Sequence, residues 1–168
     1  MFRNEVSFEV RSPDIFMIKM LAENLVKNGI DYGGHHISRV ETVLWDETVE
    51  SNAIQIEMVS PICVYTTDAE TKKTYFYHPG EQEFGMFVND NFIRKYIACY
   101  GIEPESDVII EPFHVTERDK FVTRYKGFYI SGWMGTYCLY GERKYLDFLY
   151  QTGLGTRNAQ GFGMFRIL

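Results

Sequence analysis

The most distinctive segment of this sequence is Gly153-Leu154-Gly155-Thr156-Arg157-Asn158-Ala159-Gln160-Gly161-Phe162-Gly163-Met164-Phe165-Arg166-Ile167-Leu168. Residues 153–163 contain two Gly-X-Gly pairs, each built around an apolar residue, with small or polar residues between the pairs. Glycine lets the backbone approach a partner closely or adopt a positive φ. The side chains between the pairs include Arg157, Asn158 and Gln160, which can reach a phosphate or the edge of a base. We therefore interpret residues 153–163 as a ligand-binding, glycine-rich loop.

The segments on either side of this loop exclude a dinucleotide-binding fingerprint. That fingerprint follows a strand and opens a helix. Here residues 145–150 have the apolar spacing of a helix and residues 162–168 that of a strand, so the order is reversed. The loop also contains no lysine that could serve a P-loop. A helix that ends at Gly153 before a tight turn is the simpler alternative, but it requires one glycine rather than four.

The glycine pattern resembles the glycine-rich loop of the RAMP superfamily of CRISPR-associated RNA-binding proteins. Within that superfamily it is similar to CRISPR-associated family six, the endoribonucleases that cut precursor CRISPR RNA within its repeats. Three other stretches support the resemblance: Ser12-Pro13-Asp14, residues 59–62 and Arg124-Tyr125-Lys126-Gly127. The resemblance extends from about Val6 to Leu168.

Composition limits the classes of protein to consider. The 168 residues are 45% hydrophobic and 16% aromatic, which is enough apolar material for a packed core. The net charge of −6 argues against a generally basic surface, so an RNA site would be a local patch. Three widely spaced cysteines indicate neither a disulfide framework nor a zinc site, and they suit a cytoplasmic location. The sequence shows no signal peptide or membrane-spanning segment, so no membrane partner is expected.

Hydrophobic periodicity predicts two parts, residues 1–50 and residues 51–168. The first has a predicted strand at 5–10, a helix that Ser12 caps and that ends near Gly29, and a strand at 36–44. The second has predicted strands at 54–65, 74–78, 108–115, 121–126, 128–140 and 162–168, with helices at 81–100 and 142–152. We therefore expect an α+β protein. Its complete ferredoxin-like β-α-β-β-α-β domain, with an added hairpin, follows a β-α-β half of a second ferredoxin-like unit.

The resemblance to family six implies RNA cleavage without a metal or a cofactor. In that reaction the 2′-hydroxyl of the RNA attacks the adjacent phosphate, and the protein supplies a base, an acid and cations. In the family the base or acid usually lies in the first half of the N-terminal unit, and no segment here corresponds to it. The sequence therefore leaves open whether this chain is an enzyme. It is a fragment, a shortened RNA-binding protein that does not cut, or an enzyme whose catalytic groups lie elsewhere.

Three histidines are the candidates for catalysis, because histidine has an ordinary pKa of about 6.5 and can act as acid or base. His35 and His36 adjoin the Gly33-Gly34 turn, and His114 precedes a polar loop that contains two cations. In the alternative interpretation His35 is a solvated turn residue and His36 merely begins a strand.

Cations interleaved with aromatic residues indicate an RNA site in residues 118–128. Arg124 and Lys126 are predicted to share one strand face around Tyr125. This pattern is typical of phosphate contact and base stacking, although an ordinary solvated strand face is the alternative. The predicted RNA-binding residues are Arg118, Lys120, Arg124, Lys126, Gly153, Gly155, Arg157, Asn158, Gln160, Gly161 and Gly163.

Three hypotheses for function follow. The first is recognition and processing of CRISPR repeat RNA by a family-six endoribonuclease. The second is a non-catalytic RAMP subunit that holds guide RNA beside other Cas proteins, and a homodimer is a further open possibility. The third is a ferredoxin-like interaction module in which the glycines only shape a turn. RNA binding that depends on Arg157 would exclude the third, and metal-independent cleavage would separate the first from the second.

Overall fold

The structure is a computed structural model that describes residues 6–168. The chain divides into two compact units, Met1–Thr48 and Val49–Leu168. In the described part of the chain, no helix is long and apolar enough to cross a membrane.

The N-terminal unit contains helix α1 (Ile15–Asn28) and a hairpin of two short strands, β1 (Ile30–Tyr32) and β2 (His35–Ile37). Asp14 caps α1 by accepting a hydrogen bond from the backbone N–H of Met17 at 3.0 Å, so the predicted cap at Ser12 is wrong. The hairpin turns at Gly33 and Gly34, both of which have positive φ.

The order of elements in this unit differs from the predicted β-α-β. Residues 6–10 form no strand, and residue 5, where that predicted strand begins, lies outside the described residues. The predicted strand at 36–44 is limited to the short β2, which pairs with β1 immediately across the glycine turn. The observed order is helix, strand, strand.

The C-terminal unit forms the predicted ferredoxin-like domain. Its elements are β3 (Ala53–Met58), β4 (Tyr65–Thr67), β5 (Thr74–Phe76), α2 (Gln82–Tyr100), β6 (Ile109–His114), β7 (Lys120–Tyr125), β8 (Phe128–Trp133), β9 (Thr136–Tyr140), α3 (Arg143–Thr152) and β10 (Phe165–Ile167). Four of the strands form an antiparallel sheet in the order β10-β3-β9-β6. Sheet strands and helices therefore alternate as β3-α2-β6-β9-α3-β10, and this confirms the β-α-β-β-α-β prediction.

The core of this unit fixes both helices. Phe92 of α2 is fully buried, and its ring centroid lies 5.2 Å from that of Tyr145 on α3. On the sheet, Ile56 and Leu139 are also fully buried. Burial of each large apolar side chain contributes about 1.5–3 kcal/mol to folding. The end of α3, where the glycine-rich loop begins, is thus held by the core.

Two hairpins, rather than the single predicted one, extend from the sheet. β4 pairs with β5, and β7 pairs with β8. The predicted strand at 128–140 is split at Gly135, which has a φ of +103° and lies so close to the His114 carbonyl that an added Cβ would be 2.8 Å away. Lys126 lies in the turn between β7 and β8, with Gly127, and both residues have positive φ. The sequence predicted that Arg124 and Lys126 share a strand face. They do not, because Lys126 lies in the turn.

Candidate nucleic-acid interface

The glycine-rich loop is fastened to the segment that follows β3. The Gly153 N–H closes α3 on the Leu149 carbonyl at 2.7 Å, and the Gly163 N–H donates to the Pro61 carbonyl at 2.9 Å. Thr156 donates twice to the Cys63 carbonyl, from its backbone N–H and from its hydroxyl, each at 2.8 Å. The loop is therefore a fixed structure whose position depends on residues about 100 positions earlier in the chain.

Three of the four glycines are required by packing. An added Cβ would lie 2.0 Å from the Leu154 carbonyl at Gly163, 2.6 Å from the Cys63 carbonyl at Gly155, and 2.7 Å from Asn158 Nδ2 at Gly153. Gly161 differs, because no atom lies within 4 Å of the added Cβ and only its φ of +85° favours glycine. Thus Gly161 is the loop glycine with open space beside it.

The side chain of Asn158 lies inside the loop and joins its two ends. Its Nδ2 donates to the carbonyls of Leu154 and Phe162, each at 3.0 Å. Its Oδ1 accepts from Lys95 Nζ at 3.3 Å, and the same ammonium donates to the Gly153 carbonyl. The polar atoms of Asn158 are thus engaged within the protein, although the sequence predicted an RNA contact.

Arg157 and Gln160 lie toward the outer edge of the loop. The guanidinium carbon of Arg157 lies 4.9 Å from the centroid of the Tyr65 ring, and its Nη1 donates to Gln160 Oε1 at 3.1 Å. Gln160 and Gly161 are exposed. Burial raises the pKa of the nearby Cys63 thiol, and the Thr156 hydrogen bond and the Arg157 charge oppose that rise. The outer edge thus presents a cation, a side-chain amide and open backbone.

The β7–β8 hairpin, which we call the ribbon, has two different faces. Because opposite residues in a ladder share a face, Lys120 and Arg124 lie with Tyr129 on one face, the cationic face. Lys120 Nζ is 5.5 Å from the Trp133 ring centroid and Arg124 Cζ is 5.7 Å from that of Tyr129.

The other face of the ribbon, the aromatic face, carries Phe121, Tyr125 and Phe128. These three residues are 42%, 52% and 76% exposed to solvent, respectively. Lys126, at the tip, has its Nζ 5.3 Å from the Tyr125 ring centroid. The Phe121 ring lies 6.5 Å from the ring of Phe162 in the glycine-rich loop, measured between centroids. The structure therefore brings the aromatic face, and not the cationic face, to the loop.

A family model described as "CRISPR associated protein Cas6, C-terminal" matches residues 45–167. This chain belongs to the Cas6 family. The match includes the ferredoxin-like unit, both of its hairpins and the glycine-rich loop, and the resemblance inferred from the loop is confirmed.

One curated relative and two solved structures are also similar to this chain. The CRISPR-associated endoribonuclease Cas6 of Pyrococcus furiosus is 29% identical over 159 residues, which are 88% of this chain and 56% of the relative. The solved structure for a Cas6-related gene from Pyrococcus furiosus matches with a TM-score of 0.78 at 23% identity, over 94% of this chain and 65% of that one. A solved RAMP protein that binds different RNA substrates matches with a TM-score of 0.77 at 21% identity, over 94% and 66%. The chain thus spans between 56% and 66% of the length of these proteins.

The histidines predicted as catalytic candidates occupy exposed strand positions. His35 and His36 lie on β2 of the N-terminal unit, where His36 Nδ1 is 2.8 Å from Asp31 Oδ1. His114 ends β6, and its ring lies 4.3 Å from that of Phe113. Arg118, the remaining predicted RNA contact, lies in a short turn of 3-10 helix at Glu117–Asp119. Within residues 6–168, no group of three or more His, Cys, Asp or Glu side chains could hold a metal ion.

Sequence reasoning missed two residues that shape this interface, Tyr65 and Lys95. Tyr65 lies on β4 beneath Arg157, and nothing in the sequence links these distant residues. Lys95 could have been noticed, because it follows Val88 by seven residues and Phe92 by three, and so falls on the apolar stripe of α2. A cation on a buried helix stripe is a detectable anomaly.

Proposed function

We propose that the C-terminal unit binds CRISPR repeat RNA on a surface formed by three parts. These are the outer edge of the glycine-rich loop, the aromatic face of the ribbon and the Tyr65 ring beneath Arg157. The observation that supports this surface most strongly is the 6.5 Å approach of the Phe121 and Phe162 rings, which joins the ribbon to the loop.

The chemistry of this surface suits unpaired RNA. Exposed aromatic rings stack on nucleobases, and arginine or lysine beside them contacts phosphate. Arg157 supplies a cation at the loop and Lys126 supplies one at the ribbon tip, on the aromatic side. Lys120, Arg124 and Arg118 contact phosphates only where the RNA passes around the ribbon to the cationic face. The net charge of −6 makes such a local patch necessary for RNA binding.

Repeat RNA is the ligand proposed because the chain belongs to the Cas6 family, in which the Pyrococcus relative is an endoribonuclease. The proposal includes processing of that RNA by 2′-hydroxyl attack, with His35, His36 and His114 as the candidates for base or acid. It also includes a cytoplasmic location, and other Cas proteins or a second copy of the chain as further partners.

The test is to incubate the chain with labelled CRISPR repeat RNA in EDTA, and to measure both gel shift and cleavage. Phe121→Ala should weaken binding by about tenfold, because loss of one base–aromatic stack costs about 1–3 kcal/mol. Tyr100→Ala is the matched control, since Tyr100 is an exposed aromatic residue at the end of α2, outside the proposed surface.

The outcomes separate the hypotheses. Equal RNA affinities for Phe121→Ala and Tyr100→Ala would remove the ribbon from the site. Cleavage in EDTA that a single histidine variant abolishes would assign the catalytic group. Binding without cleavage would leave RNA recognition as the function of this chain, and the absence of binding would favour the interaction-module alternative.

A further inference from the structure

Lys95 is a half-buried cation directly beneath the glycine-rich loop. It lies in the last part of α2, on the side of the helix that also carries the buried Val88 and Phe92. Its ammonium donates to the Gly153 carbonyl and to Asn158 Oδ1. Removal of the ammonium from water by burial lowers the pKa of Lys95 to about 7. Both of its hydrogen-bond acceptors are neutral, so its contacts offer no carboxylate to offset the cost of burying the charge.

The hydrogen-bond partner of Lys95, Asn158, helps to close the loop. The Asn158 side chain bonds the Leu154 carbonyl in the first Gly-X-Gly pair and the Phe162 carbonyl in the second. It therefore holds the two pairs together, beside the backbone hydrogen bond from the Leu154 N–H to the Gly163 carbonyl at 2.8 Å. Lys95 donates to the side-chain oxygen of Asn158 and to the carbonyl of Gly153. It therefore orients the Asn158 side chain from the side of α2.

A lysine in this position is costly for stability, and within residues 6–168 its side-chain hydrogen bonds go only to the loop. An apolar residue of similar length would fill the same stripe of α2 without the penalty of burying a charge. What an apolar residue could not do is donate hydrogen bonds to the two acceptors in the loop. The ammonium is therefore expected to act through its hydrogen bonds to the loop.

We propose that Lys95 is a positioning residue for RNA binding: it holds the Gly153 carbonyl and the Asn158 side chain so that the loop stays closed and presents its outer edge to RNA. This inference rests on the proposed RNA-binding function. Lys95 itself contacts no RNA, and it acts through Asn158 on the position of Arg157, Gln160 and the Phe162 ring.

The experiment compares Lys95→Met with Arg94→Met at pH 6.5, where the ammonium form of Lys95 is populated. Arg94 is the matched control because it is the other cation of α2, it immediately precedes Lys95, and its side chain is exposed. Lys95→Met should weaken binding of labelled repeat RNA by about tenfold, as expected for the loss of hydrogen bonds from a charged donor. Arg94→Met should change it by less than about twofold.

Two further measurements distinguish positioning from general stabilisation. In Lys95→Met the NMR signals of the Asn158 side-chain amide should shift, and backbone hydrogen exchange should rise in residues 153–163 only. The melting temperature should not fall, because the buried charge is removed. Asn158→Ala should weaken RNA binding as well, and the double variant should be no weaker than Asn158→Ala alone, since both changes break one link.

Three results would overturn the inference: RNA affinity of Lys95→Met within about twofold of wild type, additive losses in the double variant, or exchange that rises across the entire unit. If the wild-type chain fails to bind repeat RNA, the proposed function is refuted. In that case the Asn158 amide signals of Lys95→Met still decide whether the lysine holds the loop.

Discussion

The guanidinium of Arg157 lies over the ring of Tyr65, with 4.9 Å between the guanidinium carbon and the ring centroid. This contact restrains Arg157, the half-buried cation of residues 153–163, from the β4–β5 hairpin. Arg157 also has a φ of +62°, a conformation that costs an L-residue roughly 1–2 kcal/mol. An arginine therefore stands at a position whose backbone conformation favours glycine.

Two substitutions at this position should separate binding from stability. Arg157→Ala and Arg157→Gly should weaken RNA binding to the same extent, by about tenfold, because both remove the cation. The glycine variant should be more stable than the alanine variant by about 1 kcal/mol, because glycine accepts a positive φ. Gel shift and chemical denaturation measure the two effects. Unchanged affinity in both variants would remove Arg157 from the interface.

The loop glycines should differ in their sensitivity to a single methyl group. Gly163→Ala places a Cβ 2.0 Å from the Leu154 carbonyl, so the backbone has to move, and we expect a loss of about 3 kcal/mol or more. Gly161→Ala meets no atom within 4 Å and should cost only about 1 kcal/mol for its positive φ. Thermal denaturation of the two variants checks the order. A greater loss for Gly161→Ala would contradict the packing described here.

The two faces of the ribbon should contribute differently to the salt dependence of RNA binding. Each phosphate contact with single-stranded RNA adds about 0.7 to the slope of log affinity against log salt. Lys126→Ala should lower the slope by about that amount, because Lys126 lies at the tip beside Tyr125 on the aromatic face. Arg124→Ala, on the cationic face, should lower it less. Equal decreases would indicate that RNA wraps the whole ribbon.

Lys95 should make stability depend on pH above neutrality. Its pKa is lowered by burial to about 7, whereas the unfolded chain keeps the ordinary value near 10.5. Between these values the unfolded state binds more protons, so the free energy of unfolding rises with pH, and below pH 7 the full cost of the buried charge is present. From pH 7 to pH 8.5 the rise should be roughly 2 kcal/mol. Lys95→Met should lose this part of the pH dependence in denaturant titrations, and an unchanged profile would contradict the lowered pKa.

The ferredoxin-like unit was predictable because its signals are local. The apolar stripes of α2 and α3 follow helical spacing, and the glycine after each helix marks its end. The split between β8 and β9 was not predictable from alternation, since Gly135 interrupts the strand through a close approach to the His114 carbonyl. In the N-terminal unit, the Gly33-Gly34 turn pairs only three residues on each side, so the alternating pattern overstated strand length.

The candidate site was predictable in its residues more than in its geometry. The loop and the ribbon were both identified, but the face of the ribbon that meets the loop depends on register, which places Phe121 opposite Gly132. Asn158 has a side chain suited to RNA, and the structure uses it inside the loop. Long-range contacts of this kind, such as those of Tyr65 and Lys95, leave no periodic pattern in a sequence.

The attachment of the loop to the segment after β3 also bears on how the protein folds. The Met164 N–H bonds the Ser60 hydroxyl across 104 positions of sequence, and neighbouring bonds have a similar span. Contacts of such high sequence separation are slow to form, because chain closure precedes any gain in enthalpy. A peptide of residues 153–163 alone should therefore lack the loop structure, and in refolding the loop amides should gain protection late, after the amides of α2.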